Sequence, residues 1–460
     1  MFTRRQFLKN SALLGSAAMF LPGCASQQKP HKLGPNDKLK VAIIGPGNRG
    51  SAGVSAVFES KYADIVAFCD PDERQTAKSK AVKRATANAK IPLFHDYRVM
   101  LDKMDKDIDA VTVCTPDHMH YPISAWAMAK GKHIYCEKPL ARTIWETREM
   151  RRLAQKAGVT TQMGNQGHTM NGWKELREWT EAGLLGEIEE ICMWTNRPIW
   201  PQGAMLSMPP KQPIPTGLDY KLWLGVAPFQ PYNEAILPFN WRGLRNFGTG
   251  SAGDMACHFF DTPYSGLSLG FPTSITVKSA PFTDYSFPEK TEMVMEFANK
   301  FGVDGKIRLR WFDGKLRPNS VKRVSEEFIK DERNANCLFV VGTKATFTGT
   351  HYGAHSMILP RETMIEYKKG GLIPAPKYPR NPTPGNAYED WIRACVNGKK
   401  SESDFEYAAP FTEMVLLSMV GALNPGVELK YNPATMKFDG CPEADKFVSS
   451  LYDYDASFLP

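Results

Sequence analysis

Two residues at helical spacing, Asp254 and His258 in the stretch GDMACH, have the chemistry needed to move a proton. Side chains four residues apart on a helix lie on the same face, about one turn from each other. Histidine exchanges protons readily near neutral pH because its unperturbed pKa is about 6.5. Without further context an Asp-x-x-x-His pair is more often an ion pair on a helix surface. The spacing alone therefore leaves open whether this pair is catalytic or structural.

A lysine at a strand end is the third candidate for catalysis. The apolar run HIYCEKP (133–139) is typical of a buried strand of a parallel sheet, and Lys138 follows its apolar part. Ligands of such sheets bind beyond the carboxyl ends of the strands, so this lysine would lie beside a docked ligand. A lysine exposed to solvent in a loop is the alternative.

The stretch DHMH (117–120) has some of the residues of a zinc site. A His-x-His pair with a carboxylate can bind zinc, but a complete site needs further ligands, and no third histidine or cysteine stands nearby at suitable spacing. We therefore expect no metal in this protein.

The elements that must position these residues begin at Leu39. A short strand, LKVAII, runs directly into the loop GPGNRG, whose members are Gly45, Pro46, Gly47, Asn48, Arg49 and Gly50. Glycines in a G-x-G-x-x-G loop allow a tight turn and a close approach of the backbone to a pyrophosphate, and the following helix N-terminus favours the negative charge. A structural glycine turn is the alternative.

A second strand, ADIVAFCD, favours a dinucleotide-binding loop over a purely structural glycine turn. It ends at Asp70, 20 residues after Gly50, where a carboxylate can hydrogen-bond a ribose 2′-hydroxyl. No arginine stands beside Asp70, which is followed by Pro71, and this favours NAD over NADP.

Strands and helices then alternate through a doubly wound parallel sheet. The strands are AVTVCTPD, HIYCEKP and TTQMGNQ; one helix is YPISAWAMAKG, and another begins at a Thr143/Glu146 capping box and ends near Gly158. Residues at the carboxyl ends of the strands should face the cofactor. They are Thr115, Pro116, His120, Glu137, Lys138 and Gln166.

Past Gly186 the strands alternate apolar and polar residues, which indicates a sheet with one covered face. Examples are GEIEEICMW, SITVKSA and GKIRLRWF. We therefore place a cofactor domain at 39–160 and a second α/β domain at 161–460.

The motifs GPGNRG, CTPDHMH, EKPL and GDMACH together resemble the Gfo/Idh/MocA family of sugar and polyol oxidoreductases. The resemblance implies an NAD-binding Rossmann domain followed by an α/β domain with an open, mostly antiparallel sheet, in a homo-oligomer. It implies that His258 takes the proton of a sugar hydroxyl, that Lys138 contacts the cofactor and polarises the reacting oxygen, and that Asp254 orients both. It also places the CTPDHMH loop against the cofactor, with His120 closest.

The substrate side is expected to combine residues from several segments. Gln166 and His168 follow the sixth strand and should face the reactive end of the cofactor. The stretch 194–241 is rich in Trp, Arg and Pro, and aromatic faces with guanidinium groups suit a pyranose. The candidates are Arg197, Trp241, Tyr352 and His168; a purely structural role is the alternative for each.

The N-terminal stretch predicts export. TRRQFLK precedes an apolar run of about a dozen residues, too short for the ~20 that span a bilayer, which is typical of a twin-arginine signal. The following LPGC resembles a lipobox with Cys24 as the lipidated residue. We therefore predict a signal at 1–24, a linker at 25–38 and a periplasmic protein; ordinary cleavage near Ala25 is the alternative.

Composition limits the partners. Loss of Arg4, Arg5 and Lys9 with the signal lowers the formal charge from +8 to +5, and no basic run indicates nucleic-acid binding. A membrane would be contacted only through a lipid on Cys24. The chain has nine cysteines but no C-x-x-C pair, and a chain folded before export rarely depends on disulfides, so the others are interpreted as buried thiols.

The motifs favour an NAD-dependent oxidoreductase that transfers hydride to or from a sugar or glycoside carbon. Twin-arginine export carries folded proteins, and free NAD is scarce outside the cytoplasm, so we expect a tightly retained cofactor. Three alternatives stay open: a redox-neutral enzyme that exchanges hydride between sugars or cleaves glycosides, a one-way oxidase served by a separate acceptor, and a sugar-binding lipoprotein without catalysis. The motifs EKP and D-x-x-x-H depart from the family's glycosidase branch, which argues against net hydrolysis.

Overall fold

A computed structural model describes residues 30, 34, 36–205, 207–449, 452, 454 and 457–460. The predicted signal at 1–24, with Cys24, and most of the predicted linker at 25–38 lie outside the described residues. In the part of the chain that the structure describes, no helix has the length and apolar character needed to cross a bilayer.

The first domain is built on six parallel strands in the order β3-β2-β1-β4-β5-β6. The strands are β1 (Leu39–Ile44), β2 (Ala63–Cys69), β3 (Leu93–Phe94), β4 (Ala110–Val113), β5 (His133–Cys136) and β6 (Thr161–Met163). The helices are α1 (Gly50–Glu59), α2 (Glu73–Lys78), α3 (Lys80–Thr86), α4 (Tyr97–Lys103), α5 (His120–Ala129) and α6 (Ile144–Ala157). This is the doubly wound sheet predicted from the sequence.

The boundary of that domain differs from the predicted one. Strand β6 begins at Thr161 and pairs in parallel with β5, from Ile134↔Thr161 to Cys136↔Met163. The first domain therefore extends past residue 160, because its edge strand lies beyond that point.

The local sequence determines where helix α6 begins and ends. The Thr143 side chain accepts a hydrogen bond from the Glu146 amide while the Glu146 carboxylate accepts from the Thr143 amide, as in a capping box. At the other end Gly158 adopts φ 65°, the left-handed conformation that glycine permits at a helix end. Both ends match the prediction.

The second domain contains an eight-stranded sheet in the order β13-β12-β11-β7-β10-β9-β8-β14. Neighbouring strands pair antiparallel except β7 with β10, so the sheet is mixed and mostly antiparallel, as predicted. The strands are β7 (Ile188–Trp194), β8 (Ser274–Ser279), β9 (Thr291–Val303), β10 (Lys306–Phe312), β11 (Cys337–Gly342), β12 (Thr346–Gly349), β13 (Met357–Leu359) and β14 (Glu428–Leu429). A separate ribbon consists of β15 (Tyr431–Asn432) and β16 (Lys437–Phe438).

Eight helices accompany this sheet in the described chain. They are α7 (Gly172–Glu181), α8 (Tyr220–Leu224), α9 (Gly250–Phe259), α10 (Asp261–Leu267), α11 (Glu326–Lys330), α12 (Arg361–Lys369), α13 (Ala387–Val396) and α14 (Phe405–Ala422). Short 3-10 helices lie at Asp105–Asp107, Asp117–Met119, Gln166–Thr169, Asn240–Gly243 and Ala444–Phe447.

The two domains share their cores. Helix α13 from the second half of the chain packs on the first sheet, where Tyr388 and Trp391 belong to one cluster with Val41 and Tyr135. Tyr135 and Tyr388 stack with their ring centroids 3.9 Å apart. The eight cysteines within the described residues are free thiols and six are buried, as predicted.

Candidate active site

The glycine-rich loop is shaped for a ligand that approaches the backbone. Gly45 has φ +77°, and a Cβ there would lie 2.6 Å from the carbonyl oxygen of Cys114. A Cβ at Gly50, the first residue of α1, would lie 1.8 Å from the carbonyl oxygen of Gly45. Only glycine fits at either position, and α1 begins directly after the loop, where a helix N-terminus favours negative charge.

A cavity of about 290 Å³ joins this loop to the ends of β4 and β5 and to α9. Most of the residues predicted to bind the cofactor line it, and so do the three predicted catalytic residues. These are Gly45, Gly47, Asn48, Arg49, Asp70, Thr115, Pro116, Glu137, Gln166, Lys138, Asp254 and His258. Residues from distant parts of the sequence therefore meet in one cavity, as expected for side chains beyond the carboxyl ends of parallel strands.

Lys138 and Asp254 form a close ion pair at one end of the cavity. The Lys138 Nζ donates to Asp254 Oδ1 at 2.6 Å and to the Asp254 carbonyl oxygen at 2.9 Å. The Arg242 guanidinium donates to the same Oδ1 at 3.2 Å. Burial alone would raise the pKa of Asp254, but the charges of Lys138 and Arg242 overcome it and hold this pKa well below its ordinary value. Asp254 is therefore a permanent carboxylate that fixes the lysine.

Arg242 was not identified from the sequence, although it stands next to the predicted Trp241. Its guanidinium lies over the Trp241 ring, 4.5 Å from the centroid, and it lines the cavity. The stretch FNWRG, noted for its aromatic and basic content, was the signal that contained it.

His258 is held as a neutral imidazole. It lies one helical turn from Asp254 on α9 and is buried at the cavity wall. Burial and the positive charge of Lys138 lower its pKa well below the ordinary value. Its Nδ1 has no hydrogen-bond partner among the described residues, and its ring meets Tyr352 edge to face at 4.8 Å. A neutral imidazole facing a cavity is able to accept a proton.

Glu137 connects the loop that carries Lys138 to Arg49 of the glycine-rich loop. Its Oε1 accepts from Arg49 Nε at 2.9 Å and from the Tyr388 hydroxyl at 3.2 Å. Arg49 also donates to Gln166 Oε1 at 3.4 Å. The Glu137 charge raises the pKa of Arg49 above its ordinary value, so the guanidinium remains a cation that ties three strand-end segments together.

Asp70 is a buried carboxyl at the opposite end of the cavity. Its Oδ1 accepts from the Asp72 amide at 2.9 Å, and burial raises its pKa to about 7. The nearby arginines carry carboxylate partners: Arg74 pairs with Asp72, and Arg98 pairs with Asp96. Each guanidinium charge is already balanced by a carboxylate, which agrees with the preference for NAD predicted at Asp70.

Two predicted site residues lie elsewhere. His120 is buried, and its Nδ1 and Nε2 lie 2.8 Å and 3.0 Å from the carbonyl oxygens of Pro139 and Thr115. It therefore connects the two loops that carry Thr115 and Lys138, and both ring nitrogens face backbone carbonyl oxygens instead of the cavity. Its contact with the cofactor stays a prediction.

His168 is the second of these residues. It is buried against Asp261, with Nδ1 3.0 Å from Oδ1, and it stacks on Tyr407 with ring centroids 4.0 Å apart. The Tyr407 hydroxyl donates to the same Asp261 oxygen at 2.6 Å. The structure thus places His168 beside Asp261 and Tyr407 and not among the residues that line the cavity, and its contact with a substrate stays a prediction.

The remaining substrate candidates do line the cavity. Arg197, Trp241 and Tyr352 lie on its wall with Phe239 and Arg242. Asp117, known from the sequence only as part of DHMH, also lines it; its Oδ2 accepts from the Thr249 hydroxyl at 2.9 Å. The wall near His258 thus combines aromatic faces with charged hydrogen-bonding groups.

The DHMH stretch does not gather metal ligands. His118 is buried among Trp223, Phe247 and Tyr452, and burial lowers its pKa to about 3. Across the described residues no group of three or more His, Cys, Asp or Glu side chains is placed to hold a metal ion.

Comparison with known proteins identifies the family. Residues 39–165 match the model of the Gfo/Idh/MocA oxidoreductase family, NAD-binding Rossmann fold, and residues 181–278 match its C-terminal alpha/beta domain. The chain belongs to the Gfo/Idh/MocA family. Its first domain is an NAD-binding Rossmann domain. The glycine cradle, Asp70 and the buried Thr115 hydroxyl, which has no hydrogen-bond partner among the described residues, fit that cofactor.

Curated relatives of this family member include sugar-acting proteins. A glycosyl hydrolase family 109 protein 2 of Shewanella sp. (strain ANA-3) is 32% identical over 210 residues, which is 41% of this chain and 44% of the relative. The D-glucoside 3-dehydrogenase of Escherichia coli (strain K12) is 31% identical over 151 residues, 33% of this chain and 41% of the relative. The matched part of the chain thus spans less than half of each.

Solved structures of the same fold extend over most of the chain. A levoglucosan dehydrogenase in complex with NADH and levoglucosan gives a TM-score of 0.57 at 16% identity, covering 86% of this chain and 99% of the other. An inositol dehydrogenase homolog from Azotobacter vinelandii with NADH and myo-inositol gives 0.53 at 15% identity, covering 86% and 98%. These likenesses establish the fold.

Asp70 should make NAD affinity depend on pH. The ribose hydroxyls need a carboxylate acceptor, and a carboxyl with a pKa of about 7 becomes protonated as pH falls through that value. We expect the dissociation constant for NAD to rise about tenfold when the pH is lowered from 8 to 6, because NAD then competes with the one proton that Asp70 binds. Isothermal titration calorimetry of wild type and Asp70→Asn checks this. The variant should bind more weakly at pH 8 and show little pH dependence; an equal pH dependence in both proteins would exclude Asp70 as its source.

Proposed function

We propose that this protein is an NAD-dependent oxidoreductase that transfers hydride to or from a hydroxyl-bearing or keto carbon of a sugar or glycoside. The observation that carries the proposal is the shared cavity. The glycine loop and Asp70 line one part of it, and the Lys138–Asp254 pair with the neutral His258 lines another.

The cofactor-holding residues are those of the first domain. Gly45 and Gly47 would let the pyrophosphate approach the backbone, the N-terminus of α1 would favour its charge, and Asp70 would accept from the ribose. Bound NAD supplies the acceptor or donor of the hydride. Glu137 and Arg49 hold the loop in which Lys138 stands.

The chain's own residues handle the proton. His258, kept neutral by burial and by the charge of Lys138, takes the proton of the reacting hydroxyl and returns it in the reverse direction. The Lys138 ammonium, fixed at 2.6 Å from Asp254, stabilises negative charge developing on the substrate oxygen. Asp254 balances the two cations beside it, so the site can hold a lysine and an arginine close together.

A sugar is the substrate class that the cavity supports best. Trp241, Phe239 and Tyr352 offer flat faces suited to a pyranose, and Arg197 and Arg242 offer hydrogen bonds to hydroxyl groups. The names of the relatives, a glucoside dehydrogenase and glycosyl hydrolases, support the same class.

Redox-neutral cleavage of a glycoside is the second candidate function. The sequence motifs argued against net hydrolysis, but several relatives at 30–32% identity are named glycosyl hydrolase family 109 proteins. These names keep the alternative open, and a product assay separates the two functions.

Export and cofactor retention form part of the proposal. We propose that the protein follows the twin-arginine route to the periplasm with its NAD already bound, with or without a lipid on Cys24, and works there as a homo-oligomer. To stay bound against nanomolar free NAD, the cofactor needs a dissociation constant of about 1 nM, or about −12 kcal/mol.

Dialysed enzyme without added NAD should therefore turn over repeatedly. We expect it to exchange hydride between a glycoside and a keto-glycoside for many cycles, because a retained cofactor is reset by the second sugar. The measurement gives the dialysed protein a panel of glycosides and 3-keto-glycosides and follows nicotinamide absorbance together with products by mass spectrometry.

The products decide between the alternatives. Release of free aglycone without net keto sugar would establish glycoside cleavage. A single turnover that only added NAD restores would exclude retention and leave a conventional dehydrogenase. A protein that binds sugars but reduces no nicotinamide under either condition would contradict the enzymatic proposal.

A further inference from the structure

A residue from the far end of the described chain forms part of the cofactor cavity. Phe458 lines the cavity together with Asp70, His95, Tyr97 and Arg98. The Arg98 guanidinium lies 5.2 Å from the centroid of the Phe458 ring and 5.8 Å from that of Tyr97. Phe458 lies outside both segments that match the family models.

Three contacts hold the segment that carries Phe458. Arg98 Nη1 donates to the Ser457 carbonyl oxygen at 2.7 Å. The Tyr452 hydroxyl donates to the Asn246 carbonyl oxygen at 3.0 Å, and the Tyr454 hydroxyl donates to the Glu146 carboxylate. Ser457, Tyr454 and Tyr452 are thus attached to α4, to the start of α6 and to the loop before α9, and Phe458 directly follows Ser457.

The charged groups beside Phe458 indicate which part of a ligand would bind next to it. Arg98 donates to Asp96 through Nε and through Nη2, at 3.0 Å and 2.8 Å, so its charge already has a carboxylate partner. A phosphate would require a guanidinium with free donors. A planar base needs only flat faces, and bases stack well on aromatic rings and on arginine. The ribose-binding carboxyl Asp70 lines the same end of the cavity.

We propose that Phe458 and Arg98 form the contact surface for the adenine base of NAD, and that the segment carrying Phe458 slows release of the cofactor. The proposal deepens the proposed function by giving a physical basis for retention. Its test measures binding directly and needs no turnover, so it can fail while the proposed reaction stands.

The test compares two ligands on matched variants. Stopped-flow fluorescence gives the dissociation rate and dissociation constant of NADH, and the same measurement is made with reduced nicotinamide mononucleotide, which lacks the adenosine. The variants are Phe458→Ala, Phe458→Trp and, as a matched control one residue along, Leu459→Ala, which removes an apolar side chain that does not line the cavity.

We expect Phe458→Ala to raise the NADH dissociation constant about 5- to 100-fold, mostly through faster release, as expected for loss of one base-stacking contact. Phe458→Trp should keep NADH binding within about threefold of wild type, and Leu459→Ala should leave it unchanged. Binding of the mononucleotide should be the same in all four proteins. Equal weakening of both ligands in Phe458→Ala, or unchanged NADH release, would overturn the proposal; wild-type protein that binds no NADH would overturn the cofactor site itself.

Discussion

Replacing His258 by glutamine is expected to lower the turnover of a sugar substrate about 10²–10⁴-fold, the usual effect of removing a general base. His258 lines the cavity, and burial and the charge of Lys138 hold its pKa well below the ordinary value. The wild-type imidazole therefore stays neutral across the working range and is ready to accept a proton. Glutamine keeps much of the volume but cannot take a proton at these pH values.

The pH profile gives this prediction a second readout. Because the pKa of His258 is lowered, wild-type kcat/KM for the sugar, measured at saturating NAD, should not fall as pH decreases from about 7 to about 6, where an ordinary histidine with a pKa of about 6.5 would become protonated. Nucleotide binding should survive in His258→Gln. A matched control is His133→Gln, which changes a buried histidine in β5 whose pKa burial lowers to about 4 and which does not line the cavity. Near-normal turnover in His258→Gln would remove this histidine from the mechanism.

Short-range patterns were enough to predict the architecture and the centre of the site. Three local patterns predict local structure: a strand followed by G-x-G-x-x-G, an acid at the end of the next strand, and a capping box. Because ligands of a parallel sheet bind beyond the carboxyl ends of its strands, these patterns also predict which residues lie near the ligand. The same rule gave Lys138 and Glu137, because the two residues that follow β5 line the cavity.

The predicted residues that lie away from the cavity were judged by residue type, without knowledge of their partners. His120 and His168 follow strand ends as Lys138 does, but carbonyl oxygens of other loops engage one, and Asp261 engages the other. Such contacts join segments up to 93 residues apart in the sequence, and spacing along the chain does not reveal them. A histidine in a loop beside a site is as able to connect loops as to contact a ligand.

Residues missed by the sequence analysis share another cause. Arg242 reaches Asp254 because the 3-10 helix Asn240–Gly243 packs against α9 within the second domain. Phe458 reaches Arg98 because the end of the described chain folds back on the first domain. The covering of the first sheet by α13, with Tyr388 bonded to Glu137, has the same origin. Amphipathic patterns indicate that a helix has a buried face, but they do not identify the sheet on which that face packs.

Replacing Lys138 by methionine is expected to lower turnover about 10²–10⁴-fold as well. The variant keeps the length of the side chain and removes the ammonium that lies 2.6 Å from Asp254 Oδ1. Asp254 then keeps Arg242, at 3.2 Å, as its remaining cationic hydrogen-bond partner, so it stays ionised but no longer holds a positive charge beside the reacting oxygen. The loss should be in kcat, because the charge acts on the oxygen most strongly as negative charge develops there.

Loss of stability must be separated from loss of catalysis, since removing one member of a buried ion pair can destabilise a protein by about 3–5 kcal/mol. Lys132 provides the matched control: it is equally buried, pairs with Asp105 at 2.9 Å and does not line the cavity. Lys132→Met should also lower the melting temperature in a thermal scan, yet it should turn over substrate within about twofold of wild type. A Lys138→Met protein that is as active as Lys132→Met would show that the Lys138–Asp254 pair serves the fold alone, and the proton chemistry would then have to rest on His258 without an electrophilic partner.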